Sequence, residues 1–130
     1  MSDIPSHLKY TREHEWAILE PDGTARVGIT DFAQSELGDI VYVELPQPGA
    51  KLEQMQPFGN IEAVKTVSPL HAPYSGEVIE VNAQLVDEPT RINSSPYGDG
   101  WLVRLRPSDP SEAASLLSAD QYRDQIGPGH

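Results

Sequence analysis

The chain has no cysteine in its 130 residues. Disulfides and thiolate metal sites are therefore excluded, and any dithiol chemistry must be brought in by a cofactor. Basic residues are scarce. Nine Lys and Arg stand against twenty Asp and Glu, for a net charge of −11. Such a surface repels a phosphate backbone, which argues against nucleic-acid binding. It favours solubility and docking on partners that present basic patches. No apolar run reaches the ~18 residues of a membrane span. The opening MSDIPSHLKY lacks the apolar stretch of a signal peptide and the Arg-rich amphipathic character of a transit peptide, so a cytoplasmic protein is expected. There is no Gly-rich phosphate loop and no nucleophile elbow. The histidines, His7, His14, His71 and His130, lack metal-ligand spacing. The acid pairs are scattered and suggest no hydrolase.

Punctuation, by contrast, is plentiful. Twelve prolines and ten glycines break the chain into short segments, as in a small β-rich fold with frequent turns. The length fits a single domain, residues 1–130, with a modest core. Ile4 to Tyr10 reads as a lead-in, with Leu8 and Tyr10 free to pack. Trp16, Ile18 and Leu19 suggest a first strand, Pro21-Asp22-Gly23 a turn, and Ala25, Val27 and Ile29 the returning strand. Thr30 is placed to cap a short helix, Asp31 to Leu37, that Gly38 stops. Asp39 to Leu45 reads as a strand and Lys51 to Gln56 as an extended piece. Pro57-Phe58-Gly59 is expected to bend into a central hairpin. After Pro73-Tyr74-Ser75-Gly76, Glu77 to Val81 is a strand. Asn82 to Gly100 reads as irregular, and Trp101 to Leu105 as a last strand. Asp109-Pro110-Ser111-Glu112 has the form of a capping box with proline at the first helical position, and Ser118-Ala119-Asp120-Gln121 repeats the signal. A C-terminal helical segment is thus expected over about 109–127, carrying Ala113, Leu116, Leu117, Tyr122 and Ile126 and ended by Gly127-Pro128.

The rest is organised around Gly59 to Leu85. At its middle Lys65 lies between two β-forming runs, Ile61-Glu62-Ala63-Val64 and Thr66-Val67-Ser68. A lysine at a hairpin tip projects into water, where another protein can grasp it. Acylation would remove its charge. A turn lysine is ordinarily a solvated charge, and the pair Val64-Lys65 alone says no more than that. The context says more. Gly38-Asp39-Ile40-Val41-Tyr42-Val43 is similar to Gly76-Glu77-Val78-Ile79-Glu80-Val81, with Lys65 between the two copies. Two related units suggest two small sheets packed face to face about a pseudo-twofold axis, with Lys65 where the halves join.

Glu62-Ala63-Val64-Lys65 followed by Ala72-Pro73, Ser75-Gly76-Glu77-Val78 resembles the lipoyl/biotinyl carrier fold. Leu8-Lys9-Tyr10-Thr11, Glu13-His14-Glu15-Trp16 and Val27-Gly28-Ile29-Thr30-Asp31 extend the likeness. So do Leu37 to Pro46, Asn93-Ser94 with Pro96-Tyr97-Gly98 and Gly100-Trp101, and Asp109-Pro110-Ser111-Glu112. Together they are similar to the H-protein family of the glycine cleavage system. The resemblance implies a mainly β, lipoyl-carrier barrel-sandwich hybrid of two small antiparallel sheets, with a short helix after the first hairpin and C-terminal helices. It implies a non-catalytic carrier with one lipoic acid joined covalently to Lys65. The implied partners are the P protein (a pyridoxal-phosphate glycine decarboxylase), the T protein (an aminomethyltransferase), the L protein (a dihydrolipoamide dehydrogenase) and a lipoyl ligase or transferase.

Glu15, in a segment with the aromatic wall of Trp16, is the candidate to face the amine of an aminomethyl-bearing arm; the plainer reading is a surface acid flanking a core tryptophan. The family pattern often has Ser at Ala63, Asp at Pro69 and His at Phe32. Phe32 removes a polar contact to the arm. Other readings stand beside this one: a lipoyl donor to other carriers, a biotin acceptor or dehydrogenase lipoyl domain, and an interaction module with an unmodified lysine. Val64 and Thr66 are not the methionines that typically flank a biotinyl lysine.

Overall fold

The computed structural model describes residues 3–127. Tyr10 opens the molecule with Lys9 as a two-residue strand, β1 (Lys9–Tyr10), paired to β2 (Glu15–Leu19). Period-two alternation and the Pro21-Asp22-Gly23 turn, where Gly23 has φ +87°, return the chain as β3 (Ala25–Ile29). The Thr30 side chain accepts from the Ala33 N–H and starts helix α1 (Asp31–Leu37). Gly38, at φ +77°, ends it and donates to Gln34 O. Strands β4 (Ile40–Glu44) and β5 (Lys51–Leu52) follow, then the central hairpin β6 (Pro57–Ala63) and β7 (Val67–His71), and β8 (Gly76–Val81). Two short helices, α2 (Gln84–Asp87) and α3 (Arg91–Ser94), precede β9 (Val103–Pro107). A 3₁₀ turn (Pro110–Ser115) and helix α4 (Ala119–Ile126) complete the order.

The strands form two antiparallel sheets. One has six strands in the order β1-β2-β3-β9-β8-β5, the other three in the order β4-β6-β7. Ala17, Val27, Val78 and Leu105 from the first share a core with Ile40, Val43, Ile61 and Leu70 from the second. This is the architecture the resemblance implied, including the helix after the first hairpin and the helical end. A second cluster (Ile4, Leu8, Tyr10, Trp16, Ala119 and Tyr122) fastens the lead-in and α4 to the outer face of the large sheet.

The internal repeat falls as expected, one copy in each sheet. β4 belongs to the three-stranded sheet and β8 to the six-stranded one. Both copies break register at the equivalent step, between Ile40 and Tyr42 and between Val78 and Glu80. A shared bulge position is a stronger sign of kinship than the six-residue match alone.

Several boundaries differ from expectation. Lys51 to Gln56 is extended only at Lys51–Leu52; Met55 adopts φ +66° in a turn. Pro57-Phe58-Gly59 does not bend but starts β6, and Gly59 is required there because a Cβ would lie 2.1 Å from Glu44 O. Asn82 to Gly100 contains two helices rather than irregular chain, because Leu85 and Ile92 each have a buried place. The last strand begins at Val103, not Trp101. Asp109 does cap the following turn, but the reciprocal half of the box is absent. Glu112 instead accepts from the Ser75 N–H and hydroxyl, both at 2.7 Å, pinning the 3₁₀ turn to the start of β8. The Ser118–Gln121 capping box is complete. Pro128, the expected stop beyond Gly127, lies outside the described residues.

Candidate functional site

Lys65 sits at the apex of the β6–β7 hairpin. The tip is shorter-stranded than the sequence suggested: Val64, Lys65 and Thr66 form the turn itself. The Ala63 N–H donates to Thr66 O at 2.8 Å, and the Val64 N–H donates to Asp39 O at 3.1 Å, which ties the tip to the segment entering β4. Val64 and Val67 on either side are 77% and 56% exposed. Lys65 is exposed too, but its stem is not adrift. A Cβ placed on Gly38 would lie 3.8 Å from Lys65 Cε. The lysine therefore leans toward the C-terminal end of α1.

Leu37, next to Gly38, lines a groove of about 410 Å³. Helix α1 supplies Phe32, Ala33, Glu36 and Leu37 to one wall, and the hairpin supplies Ile61, Ser68, Pro69 and Leu70 to the other. Phe32/Glu36 and Ala33/Leu37 are i, i+4 pairs, so one face of a two-turn helix makes the whole wall. The inner end is formed by Glu13, His14, Glu15 and Ile29.

Glu15 is almost completely enclosed, 1% exposed. A tight turn delivers it: the Thr11 N–H donates to Glu15 O at 2.9 Å, and His14 takes φ +76° to reverse the chain. Thr11 Oγ1 accepts from the N–H groups of Glu13 and Glu15 at 3.2 and 3.1 Å, so its hydroxyl hydrogen goes to Glu15 Oε1. Glu15 Oε2 accepts from the His71 N–H at 3.0 Å and lies 3.4 Å from His71 Nδ1. Burial pushes the Glu15 carboxyl up to about 8, against the pull of the Thr11 and His71 hydrogen bonds. The carboxyl thus spans the seam between the first hairpin and the end of β7.

The plainer expectation for Glu15, a surface acid, does not hold. Nor is Trp16 its aromatic neighbour in the groove. Alternation along β2 turns Trp16 to the opposite face, where its Nε1–H donates to Pro96 O at 3.0 Å and its ring packs near Tyr97. The aromatic wall belongs to Phe32 and His14, with ring centroids 5.1 Å apart. Phe32 and Pro69, two of the three departures from the family pattern, both line the groove. Ala63 is buried and stands outside it. His71 is largely enclosed beside Glu15, in keeping with a structural place. His14, Glu13 and Glu36 were not expected here; only the i, i+4 step from Phe32 to Glu36 could have pointed to the last. A second cavity, of about 490 Å³, lies at the β5–β8 edge around Lys51, Glu77 and Arg106 and includes no residue of the lysine hairpin's tip. Among the described residues no cluster of His, Asp and Glu could hold a metal ion.

The family description "Glycine cleavage H-protein" matches residues 8–128. The chain belongs to the glycine cleavage H-protein family. The glycine cleavage system H protein of Halalkalibacterium halodurans is 55% identical over 126 residues, covering 97% of this chain and 98% of that one. That of Geobacillus sp. is 53% identical over 127 residues, covering 98% and 99%. In structure, the glycine cleavage system H protein from Mycobacterium marinum superposes with a TM-score of 0.87 at 43% identity, covering 95% and 99% of the two chains. An H-protein-family chain is a carrier component of the glycine cleavage system, so the two sheets are those of a lipoyl-domain-type fold.

Proposed function

We propose that Lys65 is the covalent attachment point of one lipoic acid, and that the groove beside it receives the arm. The observation that carries this is positional. The lysine on the hairpin tip leans over Gly38, which is next in sequence to Leu37 of a groove that also holds a buried acid. The residues suit the group. Phe32, Ile61, Leu37 and Leu70 offer an apolar lining to a hydrocarbon and sulfur chain, and Glu15 offers a carboxyl to an amine at its far end. When bound, the group supplies a redox-active disulfide that takes up and hands on an aminomethyl unit.

This chain's residues do the rest. Amide formation at Lys65 Nζ displaces the leaving group of an activated lipoyl carboxyl and releases a proton. The lost ammonium charge removes the desolvation cost of entering apolar sites. Glu15, neutral near pH 7 by virtue of its burial, releases its proton to solvent as a cationic end enters and faces it as a carboxylate. The groove walls keep water from that end. The chain is a non-catalytic, cytoplasmic carrier, a single domain over residues 1–130, that docks in turn on the P, T and L proteins and on the lipoyl ligase or transferase. Tethering makes each hand-over local, at an effective concentration on the order of millimolar.

Intact mass of protein made with lipoate available, with the modified peptide located, tests the assignment. Lys65→Arg is expected to fold, to gain no mass and to lose glycine decarboxylation with the partner enzymes. Full activity in Lys65→Arg, or the adduct on Lys9 or Lys51, would overturn it.

A further inference from the structure

Behind the groove wall runs a chain of hydroxyl groups that the carrier role does not by itself require. His14 Nδ1 lies 2.8 Å from the Tyr122 hydroxyl of α4. That hydroxyl lies 2.7 Å from Thr30 Oγ1, which also accepts the Ala33 N–H at 3.1 Å. Tyr122 and Thr30 are both fully enclosed. Tyr122 is held flat against Tyr10, with ring centroids 4.8 Å apart and 9° between planes. Its hydroxyl has little freedom to move away.

The hydrogens can be counted. Among the described residues the Thr30 hydroxyl hydrogen has one acceptor within reach, the Tyr122 oxygen. If it donates there, the Tyr122 hydrogen passes to His14 Nδ1 and every hydrogen is used. If the chain ran the other way, from a His14 Nδ1–H through Tyr122 to Thr30, the Thr30 hydrogen would be buried without an acceptor. Such a group is costly to leave unpaired. The favoured direction leaves His14 with its single proton on Nε2. Protonating Nδ1 would force the costly reversal.

The charge of His14 matters because of its neighbours. It is the one basic side chain among the described residues that line the groove; Glu13, Glu15 and Glu36 are the acids. Glu13 from its own turn and Glu36 from α1 pull His14 toward the charged form, while burial lowers its pKa and prevails. Phe32 of α1 and Tyr122 of α4 close the remaining sides. An imidazolium in this wall would repel a cationic guest and cancel the groove's acids.

We propose that the Thr30–Tyr122 hydroxyl chain holds His14 as the uncharged Nε2–H tautomer, making it a positioning residue that keeps the groove free of positive charge for an arm ending in an ammonium group. What the groove receives rests on the carrier reading; the tautomer does not. Histidine ¹⁵N NMR on the full-length, unmodified wild-type protein tests the tautomer with no mutation. A bare Nδ1 and a protonated Nε2 are expected at pH 7, persisting below the ordinary histidine pKa of about 6.5. Tyr122→Phe, which removes the donor to Nδ1, is expected to raise the His14 pKa. In aminomethyl-loaded protein, loss of the amine should then accelerate in Tyr122→Phe as pH falls through that raised value, while wild type stays flat over the same range. A wild-type Nδ1–H at pH 7 would overturn the proposal even if the variant did not fold. An unmoved His14 pKa in folded Tyr122→Phe would do so too. Identical pH profiles for amine loss would refute the positioning role. Failure of Lys65 to acquire any group would instead count against the carrier reading and leave the tautomer result standing.

Discussion

Replacing Glu15 with glutamine should change the way stability depends on pH, and the sign can be worked out in advance. The folded protein holds a proton on Glu15 up to about pH 8, whereas a solvated glutamate carboxyl loses it near 4.5. Between those values the native state binds more protons than the unfolded chain. Stability from this group is therefore fully present below about pH 4.5 and is lost as pH rises toward 8. The slope is about −1.4 kcal/mol per pH unit, or roughly 3 kcal/mol between pH 5 and 7. Glutamine cannot ionise, so this slope is absent from Glu15→Gln. Glutamine also introduces a separate, pH-independent cost. Both carboxyl oxygens accept, one from the Thr11 hydroxyl and one from the His71 N–H. One of these donors must then face an amide NH₂, at a cost of about 1–3 kcal/mol.

The two effects separate cleanly. The offset is the same at every pH, while the ionisation contribution grows. Urea denaturation of both proteins at pH 5, 6, 7 and 8 gives the difference curve directly. Glu15→Gln should be the less stable protein at pH 5 and should overtake wild type by pH 8. A difference that stays constant across this range would show that the carboxyl is not held protonated, and the account of the groove's inner end would fail. His71 Nδ1 lies 3.4 Å from Oε2, so the His71 NMR signal should report the same transition.

Two further substitutions probe the frame around the site. Gly28→Ala would put a Cβ 2.6 Å from the indole ring of Trp16, whose Nε1–H is already committed to Pro96 O. A loss of about 3 kcal/mol is expected, read as a lower thermal midpoint; a loss under about 0.5 kcal/mol would mean that the ring can yield. Asn93→Asp keeps the acceptor for the Ile40 N–H but loses the bonds that the Asn93 Nδ2 group donates to Gly38 O and Gln34 Oε1. It should cost about 2–4 kcal/mol in urea denaturation and speed amide exchange at Val64; unchanged exchange there would disconnect Asn93 from the tip.

The lysine hairpin, the Thr30 cap, the Gly38 stop and the two related strands could be read from residues because each rests on local chemistry. A capping hydroxyl, a left-handed glycine and a period-two run carry their own signals. The groove could not be read in the same way. Its walls come from Glu13 to Glu15, α1 and β7, which are distant in sequence, and they meet only because the sheets share a core. The resemblance points to Glu15 but not to its neighbours in the groove, His14 and Phe32. Adjacency to Trp16 in sequence means opposite faces in a strand. Glu112 shows the same limit. Its spacing from Asp109 is right for a capping box, yet two donors on Ser75 win the carboxylate. A tertiary partner with two hydrogen bonds outcompetes a local one with one. The helices within Asn82 to Gly100 were missed because each is four residues long and is stabilised by burying a single side chain, which leaves no periodicity to find.

A carrier must let its arm swing while the base of the arm stays in one place, and the hydrogen bonds around Lys65 divide those duties. The Val64 N–H is held by Asp39 O, and the next residues, Gly38 and Ile40, are both held by the Asn93 side chain. Asn93 reaches back as well to Gln34 in α1. One amide side chain therefore couples the helix that walls the groove, the strand beside the hairpin and, through Asp39, the tip itself. On the other side the Glu15 carboxyl holds the last residue of β7. Both hairpin strands are thus anchored to parts of the chain that do not belong to the hairpin, one near its tip and one at its base. With the backbone constrained in this way, the remaining soft torsions are those of the Lys65 side chain and whatever it bears. The groove and the lysine keep a fixed separation, so a partner that meets one meets the other in register.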